Sequence, residues 1–302
     1  VIKSLKELLS IAKEQKKMKL AVAASQDYEV LKAVCDAANE GIVEPILIGD
    51  IDETINIASK YGLDIERFEK VDVKDLTETA KTAVLYVNEG KADFVMKGLI
   101  DTSILLKEVL NKEYGLRTDS LLSHVMVYEV PTYHKLLFLT DGGMNIAPGL
   151  EEKIKIVKNA IKACRALGYE TVKIAALAAK EKVSPKMPAT VDANSLKELG
   201  ENNEFGEGVI IEGPLALDLA ISKEAAKIKK FESKVAGDAD VLLMPNIEMG
   251  NGVGKSLTYF AKAQSAGIIM GAKVPVVLVS RADTHEAKLN SIALGSVIAA
   301  NI

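Results

Sequence analysis

Tryptophan is absent from this 302-residue chain, and aromatic residues make up only 5% of it. Recognition of nucleic acid by stacking bases on aromatic platforms is therefore not expected. Histidine is scarce, with three residues, and cysteine scarcer, with two. Cys35 and Cys164 stand far apart in no paired motif, which argues against a disulfide framework or a zinc cluster and casts both as small apolar core residues. A surplus of positive charge is missing too: 38 Lys and Arg against 42 Asp and Glu leave a net charge of −4. Such a chain lacks the broad basic face of a nucleic-acid binder, although a small anionic ligand needs only a local cluster of donors. No apolar run approaches the roughly 20 residues that span a bilayer. The N-terminal VIKSLKELLSIAKEQKKMKL reads as a charged amphipathic helix rather than a leader. Neither nucleic acid nor membrane is expected as a partner, and a reducing cytoplasm is the default location.

What is present is ordinary globular material, 48% hydrophobic and 26% charged with 21 Gly and 8 Pro, which excludes a disordered or collagen-like chain. At about 100–200 residues per domain, the length fits one large or two medium domains. Short apolar runs recur at Leu20–Ala24, Pro45–Ile48, Asp93–Met96, Val172–Leu177, Val209–Ile211, Val241–Met244 and Val274–Val279. Between them, Asp27–Asn39, Leu76–Val87, Glu151–Leu167 and Gly254–Met270 space their apolar residues three and four apart, as helices with one buried stripe do. This alternation predicts an α/β chain with mainly parallel sheets. Leu121–Val130 and Leu136–Thr140 flank Pro131-Thr132-Tyr133-His134, which predicts an antiparallel hairpin.

Polar and small residues stand at the ends of these runs: Lys97-Gly98, Asp141-Gly142-Gly143, Glu212-Gly213-Pro214, Pro245-Asn246 and Ser280-Arg281. In parallel α/β sheets ligands bind outside the carboxyl ends of strands, where helix N-termini offer free N–H groups. The five termini are thus candidate site segments, though the same residues also serve as ordinary turns. Lys97-Gly98-Leu99-Ile100-Asp101-Thr102-Ser103, with Lys107 about one turn on, combines ammonium, glycine and hydroxyls in a way that suits phosphate. Asp101, Thr102 and Ser103 are equally good helix caps, and a capped terminus can still hold an anion. Ser280-Arg281 adds a permanent cation beside a hydroxyl.

Other motifs fail on spacing. Gly250-Asn251-Gly252-Val253-Gly254-Lys255-Ser256 has Met249 where a P-loop needs its first glycine. It also has Lys255 or Leu257 where the dinucleotide fingerprint needs its last. A loop for a different phosphate is the reading left. His285-Glu286 has Leu289 where a metalloprotease helix needs its second histidine, so no metal site is expected.

Met96-Lys97-Gly98, Thr140 through Asn145, Glu212 through Asp218, Pro245 through Asn251 and Ser280-Arg281-Ala282-Asp283, in this order, resemble the phosphate acetyl/butyryltransferase family over nearly the whole chain. The resemblance implies two α/β/α domains of the isocitrate/isopropylmalate dehydrogenase-like type with the active site in the interdomain cleft. The first would span residues 1–140 plus 273–302 and the second 141–272. It implies reversible transfer of a butyryl group between CoA and inorganic phosphate, without metal or redox cofactor, by a homo-oligomer. Alternatives are transfer from acetyl-CoA, a metal- and NAD-dependent decarboxylating dehydrogenase, and a non-catalytic acyl-CoA-binding module. Under the leading reading, Lys97, Gly98, Thr102, Ser103, Lys107 and Arg281 hold anions, and Asn246, Asn251 or the loop glycines donate to the oxyanion. Asp141, Asn145, Gly213, Pro214 and Lys255 complete the substrate contacts, and Ser280 orients the CoA thiol. Related acetyltransferases place an acid shortly after the Ser-Arg pair, where this chain has Ala287; Asp283 and Glu286 are the neighbouring candidates for the base. Acetyl-specific relatives carry His and Arg near the positions of Asp101 and Lys107, which favours the butyryl branch.

Overall fold

The structure, a computed structural model, describes residues 1–280 and 282–302. The chain opens with α1 (Leu5–Glu14), β1 (Met18–Ala23), α2 (Tyr28–Asn39), β2 (Val43–Gly49), α3 (Ile51–Tyr61), β3 (Glu69–Asp72), α4 (Leu76–Asn88), β4 (Phe94–Lys97) and α5 (Thr102–Val109). It continues through β5 (Ser123–Glu129), β6 (Leu137–Thr140), α6 (Leu150–Ala166), β7 (Val172–Leu177), α7 (Pro188–Glu201), β8 (Val209–Leu215), α8 (Leu217–Ile221), α9 (Lys223–Ile228), β9 (Val241–Leu243) and α10 (Ile247–Tyr259). It closes with β10 (Gln264–Met270), β11 (Val276–Val277) and α11 (His285–Asn301).

Two compact units result. One, called here the N-terminal unit, comprises Lys6–Ser120 and Ala266–Ile302; the other, the central unit, comprises Val1–Leu5 and Leu121–Ser265. The hairpin at 121–140 groups with the central unit because β6 pairs in parallel with β9, Phe138 opposite Val241.

In the N-terminal unit the strand order is β3-β2-β1-β4-β11-β10. Parallel pairing runs from β3 to β11, and only β10 is antiparallel to its neighbour β11. The buried run Leu20–Ala23 of β1 sits between Ile46–Ile48 and Phe94–Met96, all fully or almost fully buried, as the aliphatic composition requires. Successive strands step outward from β1 to β3, and the chain then returns to lay β4 on the other side of β1. That reversal splays the connections leaving β1 and β4 apart and opens a crevice at their carboxyl ends.

The central unit orders its strands β5-β6-β9-β7-β8, antiparallel only within the expected hairpin. Its core gathers Tyr128, Leu137, Leu139, Leu177, Leu215 and Leu242 between sheet and helices. Cys35 and Cys164 are both free and buried, as expected of small apolar residues. Burial also pushes the Cys35 thiol up to about 11. No helix among the described residues is long and apolar enough to cross a membrane.

Two expected elements differ. The helix anticipated over Gly254–Met270 ends at Tyr259; the backbone turns left-handed at Lys262 (φ 54°), and residues 264–270 form β10. Ala266 and Ile268–Met270 are all buried to 2% exposure or less, so the run is a two-sided buried strand rather than a one-sided helix. The strand anticipated over Val274–Val279 shrinks to β11, with Pro275 immediately before it unable to donate to a ladder.

Candidate active site

The crevice at the ends of β1 and β4 is a cavity of about 560 Å³ within the N-terminal unit. Backbone contact builds its floor. Gly98 and Leu99 donate to Ala23 O and Ala24 O, both at 2.7 Å, so the β4–α5 connection lies directly on the end of β1. A Cβ at residue 98 would stand 2.0 Å from Ala24 O, which explains why glycine occupies this turn.

Four expected residues line the cavity: Lys97, Gly98, Thr102 and Ser280. Lys97 ends β4, and its ammonium donates to Gly98 O at 3.2 Å. Thr102 begins α5. Asp101 takes the cap position there but makes no side-chain capping bond, whereas Asp27, Asp50, Asp75 and Thr284 cap α2, α3, α4 and α11 through their side chains. Thr102 thus meets the cavity at the positive end of the α5 dipole without a side-chain cap, while Ile104 N donates to Asp101 O at 3.1 Å and Asp101 itself lines the cavity. The Ser280 hydroxyl accepts from Ala282 N at 3.2 Å, which directs its own O–H elsewhere as a donor.

Other expected members fall outside the lining. Ser103 and Lys107 are exposed, Lys107 on the last turn of α5. Asp283 spends a carboxylate oxygen on Ser280 N at 2.7 Å, holding the turn rather than facing the cavity. Glu286 is exposed in the first turn of α11. Arg281 lies outside the described residues.

The central unit holds the rest, each in its own surroundings. Asp141 is 2% exposed, and its carboxylate accepts from Gly143 N, Met144 N, His124 N and both the backbone and side-chain nitrogens of Asn145. Those donors fill its lone pairs, so Asp141 and Asn145 brace the loop after β6. Gly213 and Pro214 are buried in β8, where a Cβ on Gly213 would meet Ala176 Cβ at 2.8 Å. Asn246 caps α10 by accepting from Met249 N at 3.0 Å, while Asn251 and Lys255 are exposed on that helix.

The glycine-rich segment is therefore helix rather than a phosphate-cradling loop. Gly250 and Gly254 are the buried face of α10: a Cβ on Gly250 would stand 2.6 Å from Asp141 O, and one on Gly254 would stand 2.8 Å from the Tyr128 hydroxyl. Their four-residue spacing is a close-approach stripe.

Sequence reading missed Asp27, Glu29 and Lys288, which also line the cavity. They stand on α2 and α11, about 260 positions apart in the chain, and no motif joins them. A weak signal existed. Lys288 introduces a helix whose following residues, Asn290 to Ile298, are all buried, an unusual place for lysine. Leu76, Leu99 and Val279 supply an aliphatic wall, the first two among the exposed large hydrophobics. Lys97, Lys288, the Thr102 end of α5 and an aliphatic wall share the crevice with the carboxylates of Asp27, Glu29 and Asp101, a mixed lining in which the two ammonium groups and the helix end can meet an anion that carries or receives a short apolar chain.

The family model described as phosphate acetyl/butaryl transferase matches residues 4–82 and 73–296. The chain belongs to that family. It is 48% identical over 301 residues to the phosphate butyryltransferase of Clostridium acetobutylicum, with 100% of each chain covered. It is 41% identical over 295 residues to the phosphate acetyltransferase of Thermotoga maritima, covering 98% of this chain and 99% of the relative. A crystal structure of a branched-chain phosphotransacylase from Enterococcus faecalis superposes with a TM-score of 0.84 at 37% identity, covering 94% of this chain and 100% of the other. The family placement fits the mainly parallel α/β fold.

Proposed function

We propose that the protein is a phosphate butyryltransferase, moving a butyryl group reversibly between CoA and inorganic phosphate. The observation that carries the proposal is the cavity at the β1/β4 crevice, which joins Lys97, the uncapped α5 terminus and Ser280 to the aliphatic wall of Leu76, Leu99 and Val279. Relatives named phosphate butyryltransferase at 48% and 44% identity support the acyl class.

The chemistry follows from charge. A phosphate oxygen attacks the thioester carbonyl carbon, a new C–O bond forms, and the carbonyl oxygen gains negative charge. Collapse of the tetrahedral intermediate breaks the C–S bond, and the departing sulfur of CoA takes a proton. Both substrates are polyanions, so holding them together is much of the task. Lys97 and the α5 amides offset the phosphate charge, and Arg281 is the second cation that the family resemblance implies. The Ser280 hydroxyl, free to donate, steadies the sulfur as it becomes thiolate. Asn246 and Asn251 are assigned to the oxyanion, and an active site drawing on both units in the isocitrate/isopropylmalate dehydrogenase-like manner is part of the same proposal. So are homo-oligomerisation, a cytoplasmic setting and independence from metal and redox cofactors.

Transfer from acetyl-CoA is the second reading, favoured by the 41% identity to a phosphate acetyltransferase. Mixing the protein with butyryl-CoA and phosphate, without metal or NAD, and following thiol release decides the matter. Phosphate-dependent release is expected; its absence overturns the transferase, and a higher kcat/KM with acetyl-CoA gives the second reading.

A further inference from the structure

We propose that Lys288 is a phosphate-contacting residue of this site, an assignment that rests on the acyl-transfer reading above and deepens it. Lys288 lies one turn into α11, its backbone N–H donating to the cap residue Thr284 at 3.1 Å. Its side chain is 2% exposed, yet it lines the cavity shared with Lys97, Thr102 and Ser280. Lysine is almost never buried to this extent without a compensating anion.

The chain's own compensation is Glu29, whose Oε2 lies 3.1 Å from the ammonium. The pair is lopsided: the Glu29 side chain is 51% exposed while that of Lys288 is sealed. Water already solvates much of the carboxylate, so the ion pair does little for Glu29, whereas the ammonium depends on a neighbouring anion. An ammonium has three donors, and Glu29 Oε2 accepts one. Glu29 is thus a replaceable counter-ion, and a phosphate oxygen entering the cavity takes its place. Lys97 and Thr102, on the same cavity, supply the further donors that a multiply charged oxyanion needs, and they offset the carboxylates of Asp27 and Asp101 that also line it. A neutral acceptor would gain a hydrogen bond from the buried ammonium but would leave its charge uncompensated, which an anion does not.

Inorganic phosphate and the phosphate groups of CoA share this chemistry, and steady-state kinetics on the full chain separates them. The phosphate KM is measured at saturating butyryl-CoA and the butyryl-CoA KM at saturating phosphate. Lys288→Met is expected to raise the phosphate KM about tenfold or more, the loss of one charge-assisted contact. Lys288→Arg is expected to recover part of it. Glu29→Gln, which removes the competing anion, is expected to lower the phosphate KM. A merely structural ion pair makes Lys288→Met and Glu29→Gln alike, both lowering the melting temperature with the phosphate and butyryl-CoA KM values unchanged, and that result overturns the proposal.

A rise confined to the butyryl-CoA KM, and missing with a butyryl thioester of N-acetylcysteamine, upholds the phosphate contact and assigns it to CoA. Should Lys288→Met not fold, Lys288→Arg and Glu29→Gln decide, and unchanged KM values in both overturn the assignment. Failure of the transferase reading itself shows differently, as wild-type protein without phosphate-dependent thiol release. Calorimetric titration of inorganic phosphate into wild type and Glu29→Gln then tests Lys288 alone, and equal affinity or no binding overturns it.

Discussion

Two loops leave the carboxyl ends of buried strands with similar polar sequences, Lys97-Gly98-Leu99-Ile100-Asp101-Thr102 after β4 and Asp141-Gly142-Gly143-Met144-Asn145 after β6, yet they use their polar groups in opposite ways. After β6 the polar groups face inward. The Asp141 carboxylate collects its own loop's amides and leaves its oxygens filled. After β4 the backbone does most of the fixing, through the 2.7 Å bonds of Gly98 and Leu99 to the end of β1, with one bond from the Lys97 ammonium to Gly98 O. With the backbone holding the turn, Lys97, Asp101 and Thr102 line the cavity, and Asp101 makes no side-chain cap. A loop held by its backbone can offer side chains to a ligand; a loop held by its side chains cannot.

Substitution tests that contrast most sharply at its two extremes. Asp141→Ala leaves several part-buried donors without an acceptor, at a cost of about 1–3 kcal/mol for each donor that finds no water. Thermal unfolding is expected to show a destabilisation of about 3 kcal/mol, the largest of the effects expected for these substitutions. Unchanged stability would mean that the β6 loop does not depend on the carboxylate. Lys97→Ala should do the converse: a fall of roughly 10²-fold in kcat/KM for phosphate, the worth of one charged contact of about 2–3 kcal/mol, with the melting temperature held. Equal loss of stability and activity in this variant would make Lys97 structural and erase the difference between the loops.

How much of this was legible in the sequence follows the same physics. The alternating strands and helices, the hairpin and the buried cysteines announce themselves through local periodicity and composition. Lys97, Gly98, Thr102 and Ser280 were also visible, because strand-end position is a local property and the crevice forms where strand ends are. Glu29 and Lys288 were not, since a pair formed between α2 and α11 exists only after the sheet brings those helices together. The loop-bracing role of Asp141 was hidden for a related reason: an acidic residue before two glycines looks the same whether its carboxylate meets a ligand or its own backbone. The glycine-rich run 250–256 was misjudged because glycine marks both flexible loops and tight helix contacts, and only the neighbours distinguish them.

Those neighbours give the finer test. Gly250→Ala places a Cβ 2.6 Å from Asp141 O and from Gly142 Cα, backbone atoms that cannot swing aside. Overpacking of that kind is expected to cost about 1–3 kcal/mol, read as a lowered urea midpoint. Gly252 is two residues along the same helix with no atom within 4 Å of an added Cβ. There alanine removes only the conformational freedom of glycine in the unfolded chain, so Gly252→Ala is expected to stabilise by about 0.5–1 kcal/mol. Opposite signs from two glycines two residues apart are what a helix with one buried face requires. If Gly252→Ala destabilised the protein as well, the segment would need backbone freedom that a helix does not use, and the loop reading of this motif would return.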